Sequence, residues 1–222
     1  MRWTASEWDD YWRASGLPQD VVDAQRRWVQ RIKRFSLKRH TKLRSVADFG
    51  CGPGITLLEL AKLYPDTSFH GFETSRLLVE RNQKVAMEMG LQNVSFETAK
   101  LPAVPDRLTY DLVLCIATLH YIENGLLAVR NLFRTVRPDG HLIFNYPNIF
   151  TVHWYRESIA KSDEAQRRRF ALVLAGKNLL SKRKIAVALG RPCGSFWKEV
   201  GETMDRANPC VFVSKPRGAE AE

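Results

Sequence analysis

The segment Asp48-Phe49-Gly50-Cys51-Gly52-Pro53-Gly54 joins an apolar run, Ser45–Phe49, to a helix-forming run that starts at Ile55. Glycines at alternate positions open backbone angles closed to other residues and let a ligand approach the main chain itself. In a parallel α/β sheet such a turn serves nucleotide binding. The dinucleotide fingerprint G-x-G-x-x-G places its third glycine later, and no Gly-Lys-Ser/Thr of a phosphate-binding loop follows here. The spacing predicts a nucleoside-like ligand without a pyrophosphate.

The elements that must hold this turn alternate as strand and helix between residues 45 and 146, the pattern of βαβ units. Strand 1 is read at Ser45–Phe49, and its helix runs from Ile55 until Pro65 stops it. Strand 2 is Ser68–Glu73, with Thr74 or Ser75 capping a helix that ends at Gly90. Strand 3 is Val94–Glu97, and the apolar segment Tyr110–Ile116 reads as a central strand buried on both faces. A helix from about Glu123 to Val136, the turn Arg137-Pro138-Asp139-Gly140 and strand 5 at His141–Tyr146 complete the alternation. Helices are expected at Ser6–Arg13 and from Pro18 to about Leu37, and a helical, basic stretch over 151–189. Pro209–Ser214 reads as a closing strand with Ser195–Val200 as its partner, and a frayed tail is expected from Lys215.

The 222 residues are 45% hydrophobic, enough to bury one substantial core, and the length favours a single domain. No run of about 18 apolar residues offers a membrane span, and Met1-Arg2-Trp3-Thr4 leads into acids and tryptophans in place of a signal segment. Cys51, Cys115, Cys193 and Cys210 form no C-x-x-C pair, so neither a metal site nor a disulfide framework is expected. These features predict a reduced, cytoplasmic protein. Its net charge of +10 divides unevenly: the balance is +6 over residues 1–45, −2 over 46–150 and +6 over 151–222. Basic ends flank a nearly neutral centre, a distribution that attracts nucleic acid, an anionic membrane or an acidic substrate.

Five motifs in order carry a resemblance to the class I S-adenosylmethionine-dependent methyltransferases, across roughly residues 40–150. Val46, Asp48, Gly50, Gly52 and Gly54 match the motif hydrophobic-x-D/E-x-G-x-G-x-G. Gly71–Ser75, Tyr110–Val113, Leu119–Ile122 and Arg137–Gly140 follow at the family's spacing. The resemblance implies a Rossmann-like, mostly parallel seven-stranded sheet with helices on both faces, an N-terminal helical lid and a helical insert before the last strands. It divides the single domain into N-terminal helices (1–44), a cofactor-binding core (45–150), a substrate-side insert (151–195) and closing strands (196–214).

It further implies that Glu73, with Thr74 beside it, accepts hydrogen bonds from both ribose hydroxyls of S-adenosylmethionine. Asp48 would orient the turn and hold the amino end of the methionine moiety, while Gly50, Cys51 and Gly52 offer it backbone atoms. The loop after strand 3 lacks the family's acidic residue, so adenine falls to the backbone of Ala99 and Lys100 with packing from Leu101 and Phe72. Ile116 and Ala117 end strand 4 beside the cofactor.

Methyl transfer from a sulfonium is an in-line displacement in which alignment and water exclusion supply much of the acceleration. His120 is the natural candidate base, with Tyr121 next to it, although the same motif serves the family as scaffold. Tyr11 and Trp12 suit a lid over a cationic sulfonium, Tyr146 and Trp154 an acceptor site, and Arg167-Arg168-Arg169 an acidic group on the acceptor. The expected function is methyl transfer to the O, N or C atom of a small-molecule acceptor, an anionic one among the candidates, yielding S-adenosylhomocysteine. The alternatives are an RNA methyltransferase using the basic ends, a lipid- or quinone-type enzyme at a membrane surface, and a cofactor-binding protein without turnover.

Overall fold

A computed structural model describes residues 3–105, 109–159 and 164–218. Two helices come first, α1 (Ala5–Ser15) and α2 (Gln19–Lys38). The alternation then runs β1 (Ser45–Phe49), α3 (Ile55–Leu63), β2 (Ser68–Glu73), α4 (Arg76–Glu88), β3 (Val94–Thr98), β4 (Tyr110–Cys115), α5 (Gly125–Arg134) and β5 (Val136–Asn145). Four helices follow, α6 (Ile149–Ile159), α7 (Glu164–Arg169), α8 (Ala171–Leu174) and α9 (Lys182–Leu189). The described chain ends with β6 (Gly194–Ser195), α10 (Phe196–Glu199) and β7 (Cys210–Ser214).

The seven strands form one sheet in the order β3-β2-β1-β4-β5-β7-β6. Strands β1 to β5 pair in parallel, and β7 runs antiparallel to both β5 and β6. This is the mostly parallel Rossmann-like sheet that the motifs imply. Every residue of β4 is buried, as its unbroken apolar character requires at the centre of such a sheet. Its side chains alternate between two cores. Leu112 and Leu114 meet Ile32, Phe35 and Leu57 on one face, and Val113 and Cys115 meet Val129, Leu132 and Phe144 on the other.

Local chemistry sets the helix starts. Thr4 and Glu7 form a reciprocal capping box at α1, Ser75 caps α4, Asn124 caps α5 and Ser181 caps α9. Three readings change, the first at the start of the tail, where Lys215 is held by main-chain bonds to Asp139 and Gly140. Arg137–Gly140 is no separate turn: it is a bulge within β5, where pairing steps from Tyr110–Val136 to Leu112–His141 and Asp139 takes a left-handed φ of 63°. Ser195–Val200 yields only the two residues of β6 before α10 begins. Phe196 is drawn off the ladder into the core, stacked 5.2 Å from Trp28. All four cysteines are free and buried, and among the described residues no helix is long and apolar enough to cross a membrane.

Candidate cofactor and acceptor site

The glycine turn lies where β1, β2 and α3 meet, and main-chain bonds fix its shape. The N–H groups of Gly50 and Cys51 both donate to the carbonyl of Phe72 at 2.7 and 3.1 Å. Gly50, Gly52 and Gly54 all take left-handed φ, at 78°, 54° and 69°. Side chains from two helices grip the carbonyls. Gln25 Nε2 on α2 donates to Cys51 O at 3.0 Å, and buried Asn82 Nδ2 on α4 donates to Gly52 O at 2.8 Å. Gln25 Oε1 also accepts from Thr56 N–H, capping a helix whose own N-cap, Gly54, has no side chain to do so.

Glu73 closes β2 against this turn. Its Oε1 accepts from the N–H groups of Thr74 and Ser75 at 2.7 and 3.0 Å, and its Oε2 accepts from Gly52 N–H at 2.9 Å. Burial nevertheless raises its pKa, outweighing those three donors. A carboxylate oxygen accepts two bonds, so Oε2 is the atom still open to a hydroxyl donor. That acceptor, on the wall of a cavity of about 450 Å³, fits the ribose of an adenosine cofactor.

The cavity wall brings together Gly50, Gly52, Glu73, Thr74, Lys100, Leu101, Ile116 and Ala117 on the sheet side. Tyr11 and Trp12 of α1 and Tyr121 face them, with Trp3 and Trp8 alongside. Ala117 holds a left-handed φ of 56°, fixed by the 2.6 Å bond from its N–H to Asn145 Oδ1.

Other expected site residues lie off the wall. Asp48 is buried beneath the turn, with Oδ1 unpartnered and its pKa raised to about 7 by burial and then by Glu73. The Cys51 thiol is buried and its pKa is raised for the same two reasons, so it is inert packing. Ala99 has its N–H bonded to Glu73 O and its carbonyl to Thr74 Oγ1, which leaves no free donor for adenine.

His120 follows the same pattern. It is buried behind the cavity, its ring edge-on to Tyr155, and burial lowers its pKa to about 4. Tyr146 faces the other side of β5, on a second cavity of about 370 Å³ with Leu180 and Lys182. Trp154 is 53% exposed and off both walls. These last two do not form an acceptor site with Tyr121.

Helix α1 covers the cavity although none of its residues is fully buried. Its aromatic rings pack on one another and on the wall, with Trp8 4.7 Å from Trp3 and 4.9 Å from Tyr121. Polar anchors hold both flanks: Asp9 binds the start of α4, and Glu7 pairs with Arg168 of α7. Arg169 joins the cavity wall, its guanidinium 4.8 Å from the Tyr11 ring. Gln25, Asn82 and Asp9 carry no sequence signal of their own; a polar Asn82 within a helix of apolar periodicity is the nearest to one.

A doubly wound sheet with one reversed strand, a glycine turn after β1 and an acidic end to β2 define a nucleoside-binding α/β protein. The methyltransferase domain family matches residues 40–207, and the chain belongs to it; its cofactor is S-adenosylmethionine. The chain is 28% identical over 120 residues to the trans-aconitate 2-methyltransferase of Pseudomonas paraeruginosa, covering 54% of this chain and 42% of that one. It is 27% identical over 137 residues to the malonyl-[acyl-carrier protein] O-methyltransferase of Legionella pneumophila, covering 61% and 45%. The chain thus spans less than half the length of these relatives. The plantazolicin methyltransferase BpumL, solved in complex with S-adenosylhomocysteine, shares the fold with a TM-score of 0.66 at 13% identity, over 96% of this chain and 90% of that one.

Proposed function

We propose that this protein transfers a methyl group from S-adenosylmethionine to a small, negatively charged acceptor that enters the cavity beneath α1. The observation that carries the proposal is the placement of Glu73 and the glycine turn on one wall of a cavity whose opposite wall is aromatic and bears Arg169. Bound there, S-adenosylmethionine supplies an electrophilic sulfonium methyl. Glu73 and Gly52 hold the nucleoside end, Leu101 and Ile116 pack against it, and the rings of Tyr11 and Trp12 exclude water and favour a cation. Relatives named for trans-aconitate and for malonyl-[acyl-carrier protein] support an acidic acceptor.

A nucleic-acid acceptor has less in its favour, because much of the basic charge along α2 and its C-cap Arg39 is engaged within the fold. Arg31 and Arg34 pair with Glu202, and Lys38 and Arg39 with Glu199.

Calorimetry with S-adenosylhomocysteine, followed by a labelled-methyl screen against metabolite pools and total RNA, tests the proposal. Wild type should bind the product at least tenfold more tightly than Glu73→Ala, and label should appear in small molecules. Equal affinity would refute the Glu73 assignment, and binding without transfer would leave a cofactor-binding protein.

A further inference from the structure

On that reading of the cavity, we infer that Arg169 receives a carboxylate of the acceptor, and that the product is a methyl ester of that carboxylate. Arg169 lies at the end of α7 with its guanidinium stacked between two rings, 4.8 Å from Tyr11 and 4.6 Å from Phe170. Its Nε is buried without a hydrogen-bond partner, and no carboxylate pairs with it among the described residues. The contrast with its neighbour is direct: Arg168 turns outward to Glu7, and Arg169 turns onto the cavity wall.

A guanidinium partly withdrawn from water between aromatic rings, its Nε buried and no carboxylate paired with it among the described residues, is costly unless an anion completes it. Its planar fork matches a carboxylate through two parallel N–H···O bonds. The flanking rings also form an apolar slot for the carbon skeleton, since Tyr121 lies 5.6 Å from Phe170 and 4.9 Å from Trp8.

A carboxylate acceptor also suits the absence of histidine from the wall. With His120 outside it and the Tyr121 phenol kept protonated by burial, an acceptor already ionised at neutral pH has the advantage over one that must lose a proton. The carboxylate oxygen forms the new O–CH3 bond with its own lone pair as the S–CH3 bond breaks and its electrons return to sulfur. An anion and a sulfonium become a neutral ester and a neutral thioether, so no proton has to be placed.

The test uses the intrinsic fluorescence of Trp3, Trp8 and Trp12, which line the cavity. Protein saturated with S-adenosylhomocysteine is titrated with mono-, di- and tricarboxylates, their methyl esters and amides, and matched phosphomonoesters. Acids should bind and esters should not. Arg169→Gln should weaken acid binding about 10–100-fold, with Arg169→Lys intermediate, and both variants should keep their affinity for S-adenosylhomocysteine. With labelled methyl donor, acids that bind should yield label released as volatile methanol by alkali.

Equal binding of acids and esters, preference for phosphomonoesters, alkali-stable label, or no binding by any acid would each overturn the inference. So would an Arg169→Gln variant that loses S-adenosylhomocysteine itself, since Arg169 would then hold the cofactor's own carboxylate. In all these outcomes wild-type binding of S-adenosylhomocysteine leaves the methyltransferase reading standing. Absence of that binding would overturn both.

Discussion

Ser75 Oγ donates a 2.5 Å hydrogen bond to Asp9 Oδ1, while Ser75 N–H donates to Glu73 Oε1. A single residue at the cap of α4 therefore touches both the lid helix and the acid at the end of β2. Asp9 Oδ1 accepts from Leu77 N–H as well, so the lid is fastened to the α4 N-terminus, where a carboxylate is favoured. Asp9→Ala should cost about 1–2 kcal/mol of stability, speed hydrogen exchange in α1 and weaken S-adenosylhomocysteine binding. Asp9→Asn should recover part of each. A cycle with Ser75→Ala should be non-additive by about 1 kcal/mol; strict additivity would mean that the two side chains do not act on each other.

Gly50 and Gly52 should respond differently to alanine although both have left-handed φ. A Cβ at Gly50 would lie 2.2 Å from Thr118 Oγ1, whereas one at Gly52 meets nothing nearer than Gln25 Nε2 at 3.5 Å. The backbone alone costs about 1–2 kcal/mol at either position, and collision adds to it only at Gly50. In urea unfolding Gly50→Ala should therefore be the less stable variant, with partial rescue by Thr118→Gly. Gly52→Ala should fold but bind S-adenosylhomocysteine poorly, because its methyl group stands on the cavity wall. Equal stability of the two variants would contradict the geometry at Thr118.

Burial of Asp48 makes stability depend on pH in a defined direction. Its pKa rises from an ordinary 3.8 to about 7, first by desolvation and then by repulsion from Glu73. Between these values the folded protein keeps a proton that the unfolded chain has released, so this residue's contribution falls as pH climbs from about 4 to 7. Asp48→Asn cannot lose that proton. The variant's stability relative to wild type should improve by a few kcal/mol, on the order of 1.4 per pH unit, between pH 4 and pH 8. Denaturant titrations at those two pH values measure the change; a constant difference would show that Asp48 titrates normally.

Most of the sheet and the donor half of the cavity were legible in sequence because both are written in short range. The strand bounds of β1 and β2 follow from apolar runs closed by the glycine turn and Glu73, and the cap of α4 reads from position as Thr74 or Ser75, of which Ser75 is the one. The acceptor half depends on which way a residue faces after a strand ends. Asn145 points to Ala117, so strand alternation sends Tyr146 to the opposite face and away from the cavity. Phe196 and Trp197 have the composition of a strand, and only the distant Trp28 explains why they turn into a helix. Gln25 and Asp9 act across 26 and 66 residues of chain, a separation that no local pattern encodes.

His120 offers the sharpest separation of scaffold from catalyst. A histidine base would be expected near its ordinary pKa of 6.5 with a ring nitrogen open to the acceptor. This ring is instead 5% exposed and off the cavity wall, with Nδ1 buried and unpartnered and its pKa lowered to about 4 by burial alone. At pH 5 to 8 it stays neutral in the folded protein. Loss of a positioned base costs roughly 10²–10⁴ in rate, whereas His120→Gln should change kcat by less than about tenfold and leave the pH–rate profile unshifted between pH 5 and 8. Its signature should appear in stability. The unfolded chain takes up a proton below 6.5 that the folded state refuses until about 4, so wild type loses stability as pH falls through that interval. His120→Gln should lack this increment of acid sensitivity in denaturant titrations at pH 4.5 and 7. A thousandfold fall in kcat with unchanged stability at both pH values would instead restore His120 as the base.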